Sequence, residues 1–457
     1  MRCVIKGGLV AVSPEHLLEV DLGIVDGVIH RISRCENPQE YDQTIDASHC
    51  WVLPGGIDAH VHLDWDFGDT VTTDDLNIGT RAAALGGTTT VLNFIQPKPG
   101  ESLRALVDRW KDKGEMAWTN YGFHVIISQL YSRWMDELPL LPSMGIHSIK
   151  VFTAYPGKLM LSDADLYRIM RAASKSSLLT MVHAENGPVI DVIAEEAVLS
   201  GKIQPRYHGA TRPSILEGEA VFRVGQMSRL ANAPAYLVHL SSLESVKALG
   251  YARQLGARLT AETCPQYLFL NDEVYQSDHF DVAQYVYTPP SRPQDDVRSL
   301  WDALRREVIE IVSSDHCPFD LHGAKELGKM DFRLIPNGGP GIETRVPLML
   351  NAVHKGQITL GEAVAWTSTN ASKEFGLFPK KGTLLPGSDA DLVIVEQEPP
   401  PFTASATTLH QRIDYTPYEG WSLKGVPHDV MIGGQWVIQD YQLIASKSHG
   451  QFVGYMN

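Results

Sequence analysis

The feature that most constrains this chain is a rhythm in its middle. Short apolar runs suited to buried strands occur at 51–57, 88–94, 122–127, 148–152, 178–182, 235–238, 258–261 and 309–312. Amphipathic stretches with helical spacing separate most of them, at 103–113, 164–174, 216–230, 242–255 and 294–306. Strands alternating with helices imply a parallel sheet, because parallel neighbours need a crossover long enough to hold a helix. Eight is the number of strands that closes a barrel. The expectation is an α/β fold, a (β/α)8 TIM barrel.

The two ends of the chain read differently. Cys3-Val-Ile, Gly8-Leu-Val-Ala-Val, 20–25 and 28–32 are short strands parted by turn signals such as Asp26-Gly27, and 390–395, 429–432 and 435–438 look alike. Neither end fills a domain alone. We expect residues 1–52 and 380–457 to pair into one small β-sandwich, with the barrel, 53–379, inserted between them. Glu398-Pro-Pro-Pro-Pro-Phe402 reads as a stiff surface connection.

Composition narrows the function classes. There are 39 Lys+Arg against 54 Asp+Glu, a formal net charge of −15, which argues against nucleic acid as a partner. No apolar run approaches the roughly 18 residues of a membrane helix, so no membrane partner is expected. Cys3, Cys35, Cys50, Cys264 and Cys317 are odd in number and never spaced C-x-x-C, a pattern suited to reduced thiols in a cytoplasm.

The chemistry begins at Pro54-Gly-Gly-Ile-Asp-Ala-His60-Val-His62, at the end of the first central run. Residues two apart on a strand share a face, about 6.6 Å apart, so both imidazoles can converge on one ion. An isolated pair of this kind is more often two ordinary core or surface histidines. Other polar residues change that balance. His183, His239 and Asp315 each follow an apolar run, at the strand ends where barrel active sites are assembled. Lys150 interrupts the apolar run 148–152, where an ammonium would be buried at high cost and its pKa depressed. Four histidines, an aspartate and a lysine at strand ends point to a metal site.

Several long motifs then make the sequence recognisable: Pro54-Gly-Gly-Ile-Asp-Ala-His-Val-His-Leu-Asp, Gly79-Thr-Arg-Ala-Ala-Ala-Leu-Gly-Gly-Thr-Thr-Thr, Lys150-Val-Phe-Thr-Ala-Tyr-Pro-Gly, Val182-His-Ala-Glu-Asn-Gly, Glu262-Thr-Cys-Pro-Gln-Tyr, Ser314-Asp-His-Cys-Pro-Phe and Pro336-Asn-Gly-Gly-Pro-Gly-Ile-Glu. With them the chain resembles the dihydropyrimidinase and D-hydantoinase branch of the cyclic amidohydrolases over nearly its whole length. The resemblance implies two divalent metal ions, usually zinc. His60, His62 and Asp315 would bind the more buried ion and His183 and His239 the second. Lys150 would be carboxylated by carbon dioxide and bridge the pair. It implies hydrolysis of a cyclic ureide, a dihydropyrimidine or 5-substituted hydantoin, to an N-carbamoyl amino acid by a metal-bridging hydroxide. Asp315 would act as general base and acid, and Tyr155 would donate to the oxyanion. The backbone at Thr288 and Asn337 would hold the substrate. Relatives are commonly homotetramers, with a homodimer as the alternative, and the tail 444–457 could serve such contacts.

Some residues depart from the family pattern. In Asp64-Trp65-Asp66-Phe67-Gly68-Asp69 the aromatic residues keep an apolar loop while Asp66 and Asp69 add charge; Lys158 and Thr153 stand where relatives often carry apolar residues. Solvent-facing charges are the simpler reading. The alternative hypothesis is an exocyclic pocket tolerant of polar or cationic substituents. Asp58 and Asp64 read as supporting or turn residues, Cys317 as a small buried side chain and His208 as a structural loop residue. Asp414-Tyr-Thr-Pro-Tyr-Glu-Gly-Trp resembles a segment of phenylhydantoinase-like and allantoinase-like relatives, so an allantoinase is an alternative, although Tyr155 argues against it. A non-catalytic dihydropyrimidinase-like interaction protein is a third reading, which would have no need of all six ligand positions.

Overall fold

A computed structural model describes residues 2–68 and 70–454. Eight strands, Gly56–Val61, Thr88–Ile95, Asn120–Ile126, Ser148–Phe152, Leu179–His183, Ala235–Leu237, Leu259–Thr263 and Ile311–Val312, lie side by side in chain order. Every neighbouring pair is parallel. A parallel bridge from Val61 to His316, with the His62 N–H donating to the His316 carbonyl at 2.8 Å, links the last strand's exit to the first and brings the barrel round. The strands are buried on both faces, as a sheet covered by helices requires.

The helices form where the periodicity placed them: Leu103–Gly114, Asp163–Lys175, Ser214–Ala231, Leu243–Gln254 and Gln294–Arg305. Their starts carry side-chain caps that satisfy free N–H groups; Ser102 accepts from the Ala105 N–H, Ser162 from the Asp165 N–H, and Ser242 from the Ser245 N–H. The helices Leu76–Leu85, Gly187–Leu199 and Arg345–His354 were not singled out by spacing, and the last is buried nearly all round, so it shows no polar stripe.

Both chain ends meet in one mixed nine-stranded sheet. Its path runs Gln442–Leu443, Gln435–Gln439, Asp429–Ile432, Leu392–Glu396, Cys50–Pro54, Arg2–Ser13, His16–Val25, Val28–Ser33, with Gln43–Asp46 beside Arg2–Ser13. The ends join where Leu392–Glu396 pairs antiparallel with Cys50–Pro54. This unit has its own core, including Ile5, Val10, Leu22, Ile24, Leu392, Ile394 and Met431.

Two expected elements differ. The run 51–57 is not one strand: Cys50–Pro54 belongs to the end sheet and Gly56–Val61 to the barrel, with the Gly55 N–H donating to the Asp391 carbonyl between them. An apolar run records burial and not which sheet buries it. Conversely, the two short strands expected before residue 13 are one, Arg2–Ser13, because Lys6-Gly7 is absorbed as a register shift with Gly7 at φ +73°, a conformation only glycine adopts freely.

The tail returns to its own barrel as far as it is described. The Tyr121 N–H donates to the Gln451 carbonyl at 2.9 Å, and Phe452 packs against Tyr121 and Phe123. Asp69 and residues 455–457 lie outside the described residues. All five cysteines are free thiols. Among the described residues no helix is long and apolar enough to cross a membrane.

Candidate active site

His60, His62, Lys150, Tyr155, His183, His239, Thr288, Asp315 and Asn337 all line one small pocket, together with Trp65, Phe67, Phe152, Cys317 and Gly338. Strand geometry brings them there. His60 lies within the first strand and His62 just beyond it, Lys150 sits inside the fourth strand, His183 ends the fifth, and His239 and Asp315 follow the sixth and eighth. His239, Asp315 and Tyr155 have φ of 43°, 50° and 65°, in the left-handed region that costs a side-chain-bearing residue energy. Three such residues in one pocket mean that the surrounding packing holds them in place.

The distances are short. The Oδ1 of Asp315 lies 3.0 Å from His60 Nε2 and 3.5 Å from His62 Nε2, and the two imidazole nitrogens are 3.3 Å apart. On the other side, His183 Nδ1 and His239 Nε2 are 2.9 Å apart. The hydrogen bonds on the far edges of the rings decide which nitrogens face inward as lone pairs. His60 Nδ1 meets Glu262 Oε1 and His183 Nε2 meets Glu185 Oε2 at 2.8 Å, so each of these nitrogens carries its ring's proton against a carboxylate. That leaves His60 Nε2 and His183 Nδ1 as acceptors aimed at other acceptors. Close groups of lone pairs in a buried pocket need protons or cations between them. Burial holds His62 down to about 4 and also lowers His183 and His239, so these rings stay neutral, as metal donors must. At His60 burial is outweighed by the Asp315 and Glu262 carboxylates and the pKa is raised, a proton that a bound cation would displace. The donor set fits divalent cations, and His60, His62 and Asp315 form a ligand group with all donor atoms within 4.8 Å of one another.

Lys150 is 1 % exposed, and burial pulls its ammonium down to about 8 against the attraction of Asp315 and Glu262. Its Nζ sits over the rings of Phe94 and Phe152, 4.7 and 5.3 Å from their centres. Tyr155 receives Asn337 Nδ2 at 3.4 Å, and burial pushes its phenol up to about 12, so the hydroxyl keeps a proton to donate.

The supporting residues were the ones least visible in the sequence. Glu262, on the seventh strand, also accepts from the Tyr236 hydroxyl at 2.7 Å, and Glu185 pairs with Arg212 at 3.4 Å. These carboxylates fix the tautomer and aim of the histidines they touch. A charged Glu262 in a strand otherwise suited to burial is the same signal that singled out Lys150. Asp58 is buried, accepts from the Ser314 N–H at 3.0 Å and faces Arg345 at 3.5 Å, so it ties the first strand to the exit of the eighth. Asp64 sits at a turn with φ 53°. Cys317 is buried, and His208 belongs to the short helix Tyr207–Ala210 rather than to a loop. Asp66 is exposed and caps the Gly68 N–H at 3.0 Å, and Lys158 is exposed with its Nζ 5.5 Å from the Phe67 ring centre.

Comparison with known proteins agrees with this geometry. The model of the amidohydrolase family matches residues 51–437. The chain is 43% identical over 456 residues to a D-hydantoinase of Geobacillus stearothermophilus, covering 99% of this chain and 96% of that protein. It is 40% identical over 453 residues to a D-hydantoinase of Rhizobium radiobacter, covering 99% and 98%. The crystal structure of the dihydropyrimidinase from Brevibacillus agri superposes with a TM-score of 0.96 at 38% identity, over all of both chains. With strand order, strand-end histidines and full-length similarity in agreement, this chain is a hydrolase of the amidohydrolase family, in its D-hydantoinase and dihydropyrimidinase branch.

Proposed function

We propose that this chain hydrolyses the ring amide of a 5-substituted hydantoin or a dihydropyrimidine to an N-carbamoyl amino acid. The observation that carries the reading is the convergence of inward-facing acceptors from His60, His62 and Asp315 on one side and from His183 and His239 on the other, with Lys150 in the same pocket. His60, His62 and Asp315 would hold one zinc ion and His183 and His239 the second, with Lys150, carboxylated by carbon dioxide, bridging them. Carboxylation turns a buried cation, unfavourable there, into an anionic ligand. Two ions so held supply a water that is deprotonated near neutral pH and a polarised substrate carbonyl.

The chain's own groups then do the following. The Asp315 carboxylate takes a proton from the attacking water and delivers it to the departing ring nitrogen. The Tyr155 hydroxyl donates to the oxygen that becomes negative as the carbonyl carbon turns tetrahedral. Backbone groups of Thr288 and Asn337 hold the ureide edge, while Trp65 and Phe67 cover the ring and exclude water. The enzyme would work as a homotetramer or homodimer in the cytoplasm, with domain limits near residues 52 and 380.

The test is an activity panel on zinc-replete protein with dihydrouracil, hydantoin, phenylhydantoin, allantoin and dihydroorotate, with metal content measured in parallel. Turnover of dihydrouracil or hydantoins with two ions bound per chain is expected. Turnover confined to allantoin or dihydroorotate would overturn the substrate assignment. A metal-free, inactive protein after zinc and bicarbonate would favour the interaction-protein reading.

A further inference from the structure

The two backbone segments assigned to the substrate, around Thr288 and Asn337, come from different loops and are built alike. In each, both carbonyls flanking the reading residue are held from behind by a buried side chain. His208 Nε2 donates to the Tyr287 carbonyl at 2.6 Å, and the Tyr267 hydroxyl donates to the Pro289 carbonyl at 2.7 Å. Lys325 Nζ donates to the Pro336 carbonyl at 3.1 Å and to the Gly338 carbonyl at 2.8 Å. The three donors are 2 %, 1 % and 0 % exposed.

The consequence follows from peptide planarity. In a trans peptide the N–H points opposite to the carbonyl of the same unit. Both the Tyr287–Thr288 and the Pro336–Asn337 peptides are trans. Fixing the Tyr287 carbonyl towards His208 therefore aims the Thr288 N–H away from it, and fixing the Pro336 carbonyl towards Lys325 does the same for the Asn337 N–H. Thr288 and Asn337 both line the pocket that holds the metal-donor cluster; Lys325 lines neither that pocket nor the cavity adjoining it, and His208 lines only the adjoining cavity, with Tyr155 and Asn337.

Resting on the function proposed above, we infer that His208 and Lys325 are positioning residues that pre-orient the Thr288 and Asn337 peptides for the cyclic ureide. Lys325 is an unusual choice for mere packing. It is completely buried and makes no ion pair among the described residues; both of its hydrogen bonds go to neutral carbonyls. Burial lowers it to about 7, with only longer-range attraction from Cys317 and Asp414 opposing the shift. A residue kept at that cost does something an apolar side chain of equal length could not. Gly338 adds to the same rigidity: its φ is +138°, and a Cβ there would lie 2.3 Å from the Cys317 carbonyl oxygen.

The experiment measures kcat and KM on the preferred ureide, metal content and Tm for zinc-replete wild type, Lys325→Met, His208→Leu and His208→Gln. Lys325→Met keeps the length and loses the donors; the glutamine amide can still donate to the Tyr287 carbonyl. The expected result is a KM about tenfold to a hundredfold higher in Lys325→Met and His208→Leu, with kcat changed by less than about threefold. Two ions stay bound, and His208→Gln recovers most of the loss. Unchanged KM in folded, metal-loaded Lys325→Met and His208→Leu would overturn the inference while leaving the function intact. Should Lys325→Met fail to fold, the His208 pair decides: equal KM values for leucine and glutamine would overturn it. A zinc-replete wild type inactive on every cyclic ureide would reject the proposed function, and the inference with it.

Discussion

Two buried lysines mark two regions built on opposite principles. Lys381 lies at the seam between the barrel and the end sheet, with its Nζ 3.0 Å from Asp389 and 2.5 Å from Asp391. Asp391 also accepts from Asn120 Nδ2 at 3.0 Å and from the Gly433 N–H at 2.6 Å. Burial works against the Lys381 charge, but the two carboxylates outweigh it and its pKa is raised. Lys150, in the barrel, has aromatic rings beneath it and no ion pair among the described residues, and its pKa falls. The seam is saturated with partners and needs nothing added. The pocket gathers acceptors against acceptors beside an ammonium that Asp315 and Glu262 attract without pairing with it directly. Such an arrangement favours a bound cation, which is why it reads as a site and the seam reads as structure.

The largest effect should come from Lys150→Ala. Metal content should fall and turnover drop to background, with partial rescue by short carboxylic acids that stand in for the proposed bridging carboxylate. Two bound ions and normal turnover in that variant would erase the contrast. Next, Lys381→Met leaves the buried Asp391 without its cation, while Asp389 keeps Lys380 at 2.7 Å. It should cost about 3–5 kcal/mol of stability, read as a lower denaturation midpoint, while metal content and KM stay at wild-type values. An altered KM would mean that the seam is not independent of the site.

The same lysine predicts a pH response. Its folded pKa lies above the ordinary lysine value, so the folded chain holds this proton more tightly than the unfolded one. The stabilisation is complete below the ordinary value, about 10.4, and is lost as pH climbs through the raised one. Alkaline unfolding of wild type should therefore be steeper than that of Lys381→Met, and parallel profiles would contradict the pairing. A smaller effect is expected from Glu262→Gln, which weakens the carboxylate behind His60 and should lower metal affinity about 10–100-fold, measured by competition with a chelator. The smallest concerns the rim: Asp66→Asn should leave the preference between phenyl and aminoalkyl hydantoins unchanged, since Asp66 faces solvent and caps Gly68. A changed preference would favour the cationic-substituent hypothesis.

Much of the site was legible because barrel geometry converts sequence position into spatial position. A polar residue directly after an apolar run in a parallel barrel has one place to go, the carboxyl-end rim, so His183, His239 and Asp315 could be grouped although more than 130 residues separate the first from the last. Lys150 was legible for a different reason: a charge inside a buried strand must be either an error or a device. Glu262 carries the same signal, a charge at the end of a buried strand, inside a longer motif. His208 was read as ordinary, since nothing local announces that its ring reaches the Tyr287 carbonyl, 79 positions away. The split of 51–57 between two sheets was equally hidden, because hydrophobicity reports burial without saying against what.

By itself the sequence determined the kind and order of the elements, the insertion of a barrel between paired ends and the residue types available at the strand exits. These follow from local periodicity, from turn chemistry and from the one-way geometry of parallel strands. Only the tertiary structure decided which ring nitrogen of His60 and His183 is engaged from behind, which carbonyls Lys325 and His208 hold, and which buried lysine is paired. Those choices are settled by contacts between segments far apart in the chain, as between His60 and Glu262, 202 positions apart. Such contacts exist only once the barrel has closed and removed water from both partners.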